Sequence, residues 1–353
     1  MLIINDLHLG VQRSGGTTPQ SQIYLKNWLR GKVRMLIDGE YGAVTVNGDL
    51  FDGFTVDIAE VVKAYEMFAD WMHIAPTRKL NLIQGNHDWN PRGDKMSSFH
   101  LLCHFLKAHF DDRVRVFDTG FDELTPEVFC IPHMPNQELF NMEVQKAISY
   151  PIAFGSAGYL LLHCNYKNGF AENSDHSLNL GDDQVGDLIK AGWKLVLGHE
   201  HIGYELRGGK VIVVGNQFPS SVADCLGNTN KHALRIMHDG VAYVETWGAG
   251  TSFARADWQG LADVSSDHYD FIRVEGEATA AQAADAISAI SKFRQRSRAF
   301  VITNAVKVEG VVAAEEMAAK SIEDIRAFDV LGAIFEHLEP REVEVVKGLI
   351  NAN

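Results

Sequence analysis

Cysteine is scarce in this chain: four in 353 residues, Cys103, Cys130, Cys164 and Cys225, widely spaced and with no CxxC pair. That argues against a zinc knuckle or a disulfide framework and leaves the thiols as reduced core packing. Basic charge is also short. Lysine and arginine number 32 against 46 aspartates and glutamates, a net charge of −14, so a protein that coats nucleic acid by charge alone is disfavoured, and any nucleic acid must be held locally. No stretch approaches the ~18 consecutive apolar residues of a membrane span, so no membrane partner is expected. Nor is there a basic and then apolar leader before Asn5-Asp6, and a cytoplasmic location is the expectation.

What is present has the proportions of a globular protein, 46% apolar and 22% charged. At ~150 residues per domain the length suggests two domains and a small third. Short apolar runs ending at polar clusters alternate with helix-like segments, the pattern of an α/β protein with buried strands. The runs are Leu2–Ile4, Ala43–Val46, Leu80–Ile83, Phe129–Ile131, Tyr159–Leu162, Lys194–Leu197 and Val211–Val214. Apolar residues return every three or four positions over Gln22–Leu36, Ile58–Met72, Ser97–Phe110 and Asp182–Ala191, which predicts helices there. Beyond Trp247 the histidine clusters stop. A strand at Tyr269–Val274, an Ala-rich helix at Thr279–Phe293 and a strand at Ala299–Val308 predict a small second domain. From Ser321 a helical stripe carries Phe328, Leu331, Phe335 and Leu338; Pro340 breaks it, and Val343, Val346 and Leu349 form a second stripe, giving a helical hairpin.

The strand ends carry the chemistry. In chain order they present Asp6-Leu7-His8, Gly48-Asp49-Leu50-Phe51-Asp52, Gly85-Asn86-His87-Asp88, His163 and Gly198-His199-Glu200-His201. Where strands are broadly parallel their carboxyl ends open on one crevice, so donors far apart in sequence can meet there. Asp6, His8, Asp49, Asn86, His163, His199 and His201 then make one site, enough for two ions if one carboxylate bridges. The mixed imidazole and oxygen set suits manganese, iron or zinc better than calcium or magnesium. Any one cluster could instead be a tight turn or a polar strand edge; five in succession point to metal.

Together DxH, GDxxD, GNHD, the strand-end His163 and GHxH resemble the calcineurin-like metallophosphoesterases over about residues 1–250. Within them the motifs look most like the DNA-repair nuclease branch, the Mre-eleven and SbcD subunits and their phage recombination counterparts. The resemblance implies a β-sandwich flanked by helices (1–250), a small α/β capping domain that binds DNA (251–312), and a C-terminal helical segment (313–353) that docks on an SMC-like, Rad-fifty-type coiled-coil ATPase through Phe328 to Leu349. It implies one ion on Asp6, His8 and His201, another on Asn86, His163 and His199, and Asp49 between them, with manganese first and iron or zinc as alternatives. His87 is placed to protonate the leaving oxygen, and Asp52 to orient it. The implied activity is exonuclease or endonuclease hydrolysis of DNA phosphodiesters in repair and recombination, in a bacterial cell or encoded by a phage, with homodimerisation left open.

For substrate, residues 76–115 hold seven Lys and Arg against four Asp and Glu, which makes Arg92 and Lys95 candidate phosphate contacts at the cleft rim. Lys292, Arg294, Arg296 and Arg298 close the Ala-rich helix; capping its carbonyl end is one use for them and DNA contact another. His100 and His104 share a helix face but lack a third donor, so they read as solvated or capped, and His133 is left unassigned. A stand-alone small-molecule phosphodiesterase or phosphoprotein phosphatase and a non-catalytic scaffold are the competing readings. The long tail argues against the first and the complete donor set against the second.

Overall fold

The computed structural model describes residues 1–11, 19–90, 95–152, 158–167, 177–221, 224, 231–237, 240–247, 253–265 and 269–308. The chain begins β1 (Leu2–Ile4), α1 (Pro19–Ile37), β2 (Ala43–Asn47), α2 (Ile58–Ile74), β3 (Lys79–Ile83), α3 (Ser98–Phe110) and β4 (Val114–Phe117). It continues β5 (Asp122–Thr125), β6 (Val128–Ile131), α4 (Gln137–Ser149), β7 (Gly158–His163), β8 (Asn165–Tyr166), β9 (Asn179–Leu180), α5 (Asp182–Lys190) and β10 (Trp193–Gly198). Then come β11 (Tyr204–Leu206), β12 (Val211–Val213), β13 (Lys231–Met237), β14 (Gly240–Trp247), β15 (Phe253–Asp257), β16 (Phe271–Ala278), α6 (Ala283–Arg296) and β17 (Phe300–Val308).

Two six-stranded sheets carry the fold, ordered β14-β13-β1-β2-β3-β4 and β11-β12-β10-β7-β6-β5. In the first, β1 to β4 run parallel, and in the second β6, β7, β10 and β12 do. Their apolar runs are continuous because both faces of each sheet are buried. Ile3, Ile83, Leu161 and Val196 fill the space between the sheets. Their neighbours turn outward: Leu2, Ile4 and Leu82 toward α1, α2 and α3, and Leu160, Leu162 and Leu197 toward α4 and α5. The result is a helix-sheet-sheet-helix sandwich. Each fully buried Leu or Ile contributes roughly 1.5–3 kcal/mol, so the strand bodies are fixed by packing and the polar loops at their ends must be fixed by hydrogen bonds. Side-chain caps start the helices: Asp57 for α2, Ser97 for α3 and Asn136 for α4.

After β14 the chain builds a three-stranded parallel sheet, β15-β16-β17, with α6 on one face, its Ile290 and Phe293 clustered with Ile272 and Val274 of β16. It is joined to the sandwich by an aromatic cluster, in which Trp28 of α1 lies edge-on to Phe253 and Phe271 and donates Nε1–H to Asp270 at 3.2 Å. The helical hairpin expected from Ser321, with Phe328, Leu331, Phe335, Leu338, Val343, Val346 and Leu349, lies outside the described residues. Among the described residues no helix is long and apolar enough to cross a membrane.

Candidate metal centre

β1, β2 and β3 each end in a donor-bearing loop: Asp6 and His8 after β1, Asp49 after β2, Asn86 after β3. Asp6 (φ 50°), His8 (45°) and Asp49 (50°) all sit in the left-handed region, which costs a non-glycine residue about 1–2 kcal/mol. Cross-loop backbone bonds hold them there, Asp6 N–H to Gly48 O at 3.1 Å and His8 N–H to Asp49 O at 3.1 Å. Two motif glycines permit the close approach of loops. A Cβ on Gly48 would lie 2.0 Å from His163 Nδ1, and one on Gly85 2.2 Å from both the amide nitrogen and Oδ1 of Asp49. Gly48 and Gly85 therefore sit where only hydrogen fits, a reason for GD and GN independent of turn geometry.

The second sheet supplies imidazoles, and each ring has its far nitrogen engaged. His163, the last residue of β7, donates Nδ1–H to Asn47 O at 2.9 Å. His201 Nδ1 lies 2.8 Å from Asp224 Oδ1, and His199 Nε2 lies 3.1 Å from Ser177 Oγ. The near nitrogens converge. His201 Nε2 is 3.0 Å from His8 Nε2, while His163 Nε2 and His199 Nδ1 are 3.1 and 3.0 Å from Asn86 Oδ1. His163 Nε2 is also 3.2 Å from Asp49 Oδ1.

Ligand atoms of Asp6, His8 and His201 lie within 4.8 Å of one another, as do those of Asp49, His163 and His199, and those of His8, Asp49 and His87. Asp6 and Asp49 are each only 1% exposed. Two buried carboxylates in one cleft need compensating positive charge. The electrostatics already show the pull. Burial disfavours charge on His163, but the neighbouring Asp49 carboxylate overrides it and raises the imidazole to about 9. Burial acts on Asp49 in the opposite sense, yet His163 holds its carboxyl well below the usual range. Burial lowers His8 to about 3; a cation in the cleft would displace the proton from His163. His8 Nδ1 is buried with no hydrogen-bond partner. A mixed nitrogen and oxygen set of this kind fits divalent cations of the manganese, iron and zinc type.

His87 stands at the mouth of the cluster, its side chain 42% exposed, with Nε2 4.0 Å from Asp49 Oδ2. Its Nδ1 meets the main-chain carbonyl of Asp52 at 2.9 Å. This corrects the expected role of Asp52: its carbonyl orients the ring, and its carboxylate Oδ1 lies 3.4 Å from His8 Nδ1. A carbonyl only accepts, so His87 carries hydrogen on Nδ1 and turns Nε2 to the cleft. Asp88, fully buried, is a residue that motif reading left without a role. It accepts the backbone N–H groups of Leu50, Phe51 and Gly85 and so ties the Asp49 loop to the Asn86 loop. Burial, with Asp49 nearby, raises its carboxyl to about 6.

Several basic residues are spent on structure. Of the surplus in 76–115, Arg78 donates to Trp71 O, Arg113 to Met72 O and Ala75 O, and Arg115 to Leu124 O and Glu123 O. Lys95 is exposed, and Arg92 lies outside the described residues. On α6, Arg296 bonds the carbonyl of Leu261 and lies over the Phe293 ring. Lys292, Arg294, Arg296 and Arg298 are all exposed. His100 is satisfied by Ser97 and Asp118, and His104 is exposed.

The sequence model of the calcineurin-like phosphoesterase family matches residues 1–214. No curated protein matches the chain. One solved structure aligns over 69% of this chain and 98% of its own at 11% identity and a TM-score of 0.38, too loose a likeness to carry an argument.

Proposed function

The chain belongs to the calcineurin-like phosphoesterases and is a metal-dependent phosphoester hydrolase, and from that premise we propose that it is a manganese-dependent DNA nuclease subunit. The observation that carries this reading is the exposed His87 over two facing donor groups, beside a sandwich extended by a second α/β unit. A substrate larger than a small ester gives that unit a use: exposed Lys292, Arg294 and Arg298 on it supply phosphate contacts that the acidic sandwich lacks.

On this reading Asp6, His8 and His201 hold one cation, Asn86, His163 and His199 the other, and Asp49 lies between them. The two cations, when bound, neutralise a phosphodiester's developing charge and supply an activated water near neutral pH. His87 moves the second proton. Its Nδ1–H is fixed on Asp52 O, so Nε2, protonated in the imidazolium, faces the cleft and gives its proton to the leaving alkoxide. The backbone of the Asp49 loop, tied through Asp88, keeps this geometry rigid. An SMC-like coiled-coil ATPase as partner, docked on Phe328 to Leu349, completes the proposal. For the partner, truncation after Ala319 should abolish co-purification with the ATPase and leave the melting temperature unchanged.

The test is a manganese-dependent assay on labelled linear duplex, single-stranded and hairpin DNA beside an aryl phosphodiester. DNA cleavage that vanishes with chelator supports the nuclease reading. Turnover of the aryl ester with every DNA left intact would favour a stand-alone small-molecule phosphodiesterase.

A further inference from the structure

We propose that Asp224 is a positioning residue for His201, so that a residue beyond the family match at 1–214 is needed for one of the two cation sites. The inference rests on the two-cation reading of the cleft and not on DNA as the substrate. His201 follows β10 in a half-buried bend, and its ring could rotate about χ2 to present either nitrogen. Asp224 removes that freedom. Its Oδ1 lies 2.8 Å from His201 Nδ1, and a carboxylate can only accept there, so Nδ1 carries the hydrogen and the Nε2 lone pair is turned toward His8 Nε2, 3.0 Å away. The carboxylate is itself built in: it is 5% exposed, and Oδ2 accepts from Ser220 N–H at 2.8 Å, Ser220 Oγ–H at 3.0 Å and Ser221 N–H at 2.9 Å. A side chain held by three donors on one oxygen has its other oxygen fixed in direction.

The backbone of His201 is secured separately. Its carbonyl accepts from buried Lys231 Nζ at 2.8 Å and from Asn216 N–H at 3.2 Å. Loss of the Asp224 carboxylate should therefore free the ring while leaving the main chain in place. The three imidazoles differ in this respect. At their far nitrogens His163 rests on a main-chain carbonyl and His199 lies beside a serine hydroxyl, whereas His201 meets a carboxylate, whose charge also raises the basicity of the ring.

The experiment is a calorimetric Mn2+ titration of the full chain, wild type against Asp224→Ala and Asp224→Asn, with melting temperatures alongside. The wild type should take up two ions. In Asp224→Ala one should weaken by about 10–100-fold while the other holds, because only His201 loses its support. Asp224→Asn, which keeps an acceptor oxygen without the charge, should fall between. Unchanged affinity for both ions in both variants overturns the proposal, as does equal weakening of both ions at an unchanged melting temperature. Should Asp224→Ala melt far below wild type, Asp224→Asn decides: selective loss of one ion supports the role, and unchanged binding overturns it. A wild-type chain that binds no Mn2+ overturns the two-cation reading as well, whereas wild-type uptake of two ions with unchanged variants overturns the positioning role alone.

Discussion

The two sheets bring different chemistry to one cleft. Loops of the first sheet supply both buried carboxylates, the Asn86 amide, His8 and the exposed His87; the second supplies imidazoles only, His163, His199 and His201. They are also held differently. The first set is fixed through the backbone, by left-handed residues, cross-loop amide bonds and the Asp88 carboxylate. The second adds a side-chain hold, each ring by what meets its far nitrogen, to backbone ties from His199 N–H to Asp6 and from Lys231 to the His201 carbonyl. The contrast teaches that first-sheet loops fail as units when strained, while second-sheet ligands fail one at a time.

Asp49→Ala should give the largest effect, because both donor groups lose the carboxylate between them. Activity should fall by about a thousandfold or more, in keeping with the loss of metal-supplied charge stabilisation, and metal per chain should drop below two. Elemental analysis of the purified variant checks it; two ions retained would sink the role of Asp49.

Gly48→Ala sharpens the comparison at the seam between the sheets. Its Cβ would enter the His163 ring at a positive φ of 84°, and the strain should cost at least about 2–3 kcal/mol in urea denaturation, with binding lost on both sides of the cleft. A variant as stable as wild type would show that the loops are not packed against that ring.

His87→Ala should keep both ions and lose about a hundredfold in DNA cleavage. An aryl ester, whose leaving group departs without a proton, should suffer less. Equal losses on the two substrates would remove the general-acid role.

Asp88→Asn probes the backbone mode alone. With one oxygen replaced by a donor, at least one of the three amide bonds is lost, at about 1–3 kcal/mol by thermal or urea unfolding. No change in stability would break the claim that the first-sheet loops stand or fall together.

The smallest effect belongs to the second unit. Lys292→Ala with Arg294→Ala should weaken DNA binding a few-fold and lower the salt slope by about one to two. Arg296→Ala should instead destabilise that unit by about 1 kcal/mol, since it serves Leu261 and Phe293. The reverse pattern would make Arg296 a nucleic-acid contact.

How far the residues alone could be read follows the same division. Strands Leu2–Ile4, Lys79–Ile83 and Trp193–Gly198 stand where apolar runs predict them, because burial on both faces writes an unbroken signal. Helix α4 carries a weak signal, although Phe140, Val144 and Ala147 recur at helical spacing, because polar residues dominate the segment around them. Strands β13 and β14, with exposed residues on alternate positions, carry a weaker signal than the central runs. At the site, motif spacing names the donors, but it cannot tell a carbonyl of Asp52 from its carboxylate. Nor does any local pattern mark Asp224, which reaches His201 only through the fold. Cation counting misled around Arg78, Arg113 and Arg115, since a guanidinium that binds main-chain carbonyls reads the same in sequence as one that awaits phosphate.

The most direct measurement is anomalous diffraction from crystals soaked in MnCl2. Two peaks are predicted, one among Asp6, His8 and His201 and one among Asn86, His163 and His199, with Asp49 between them. A single peak, or peaks away from these side chains, would contradict the account.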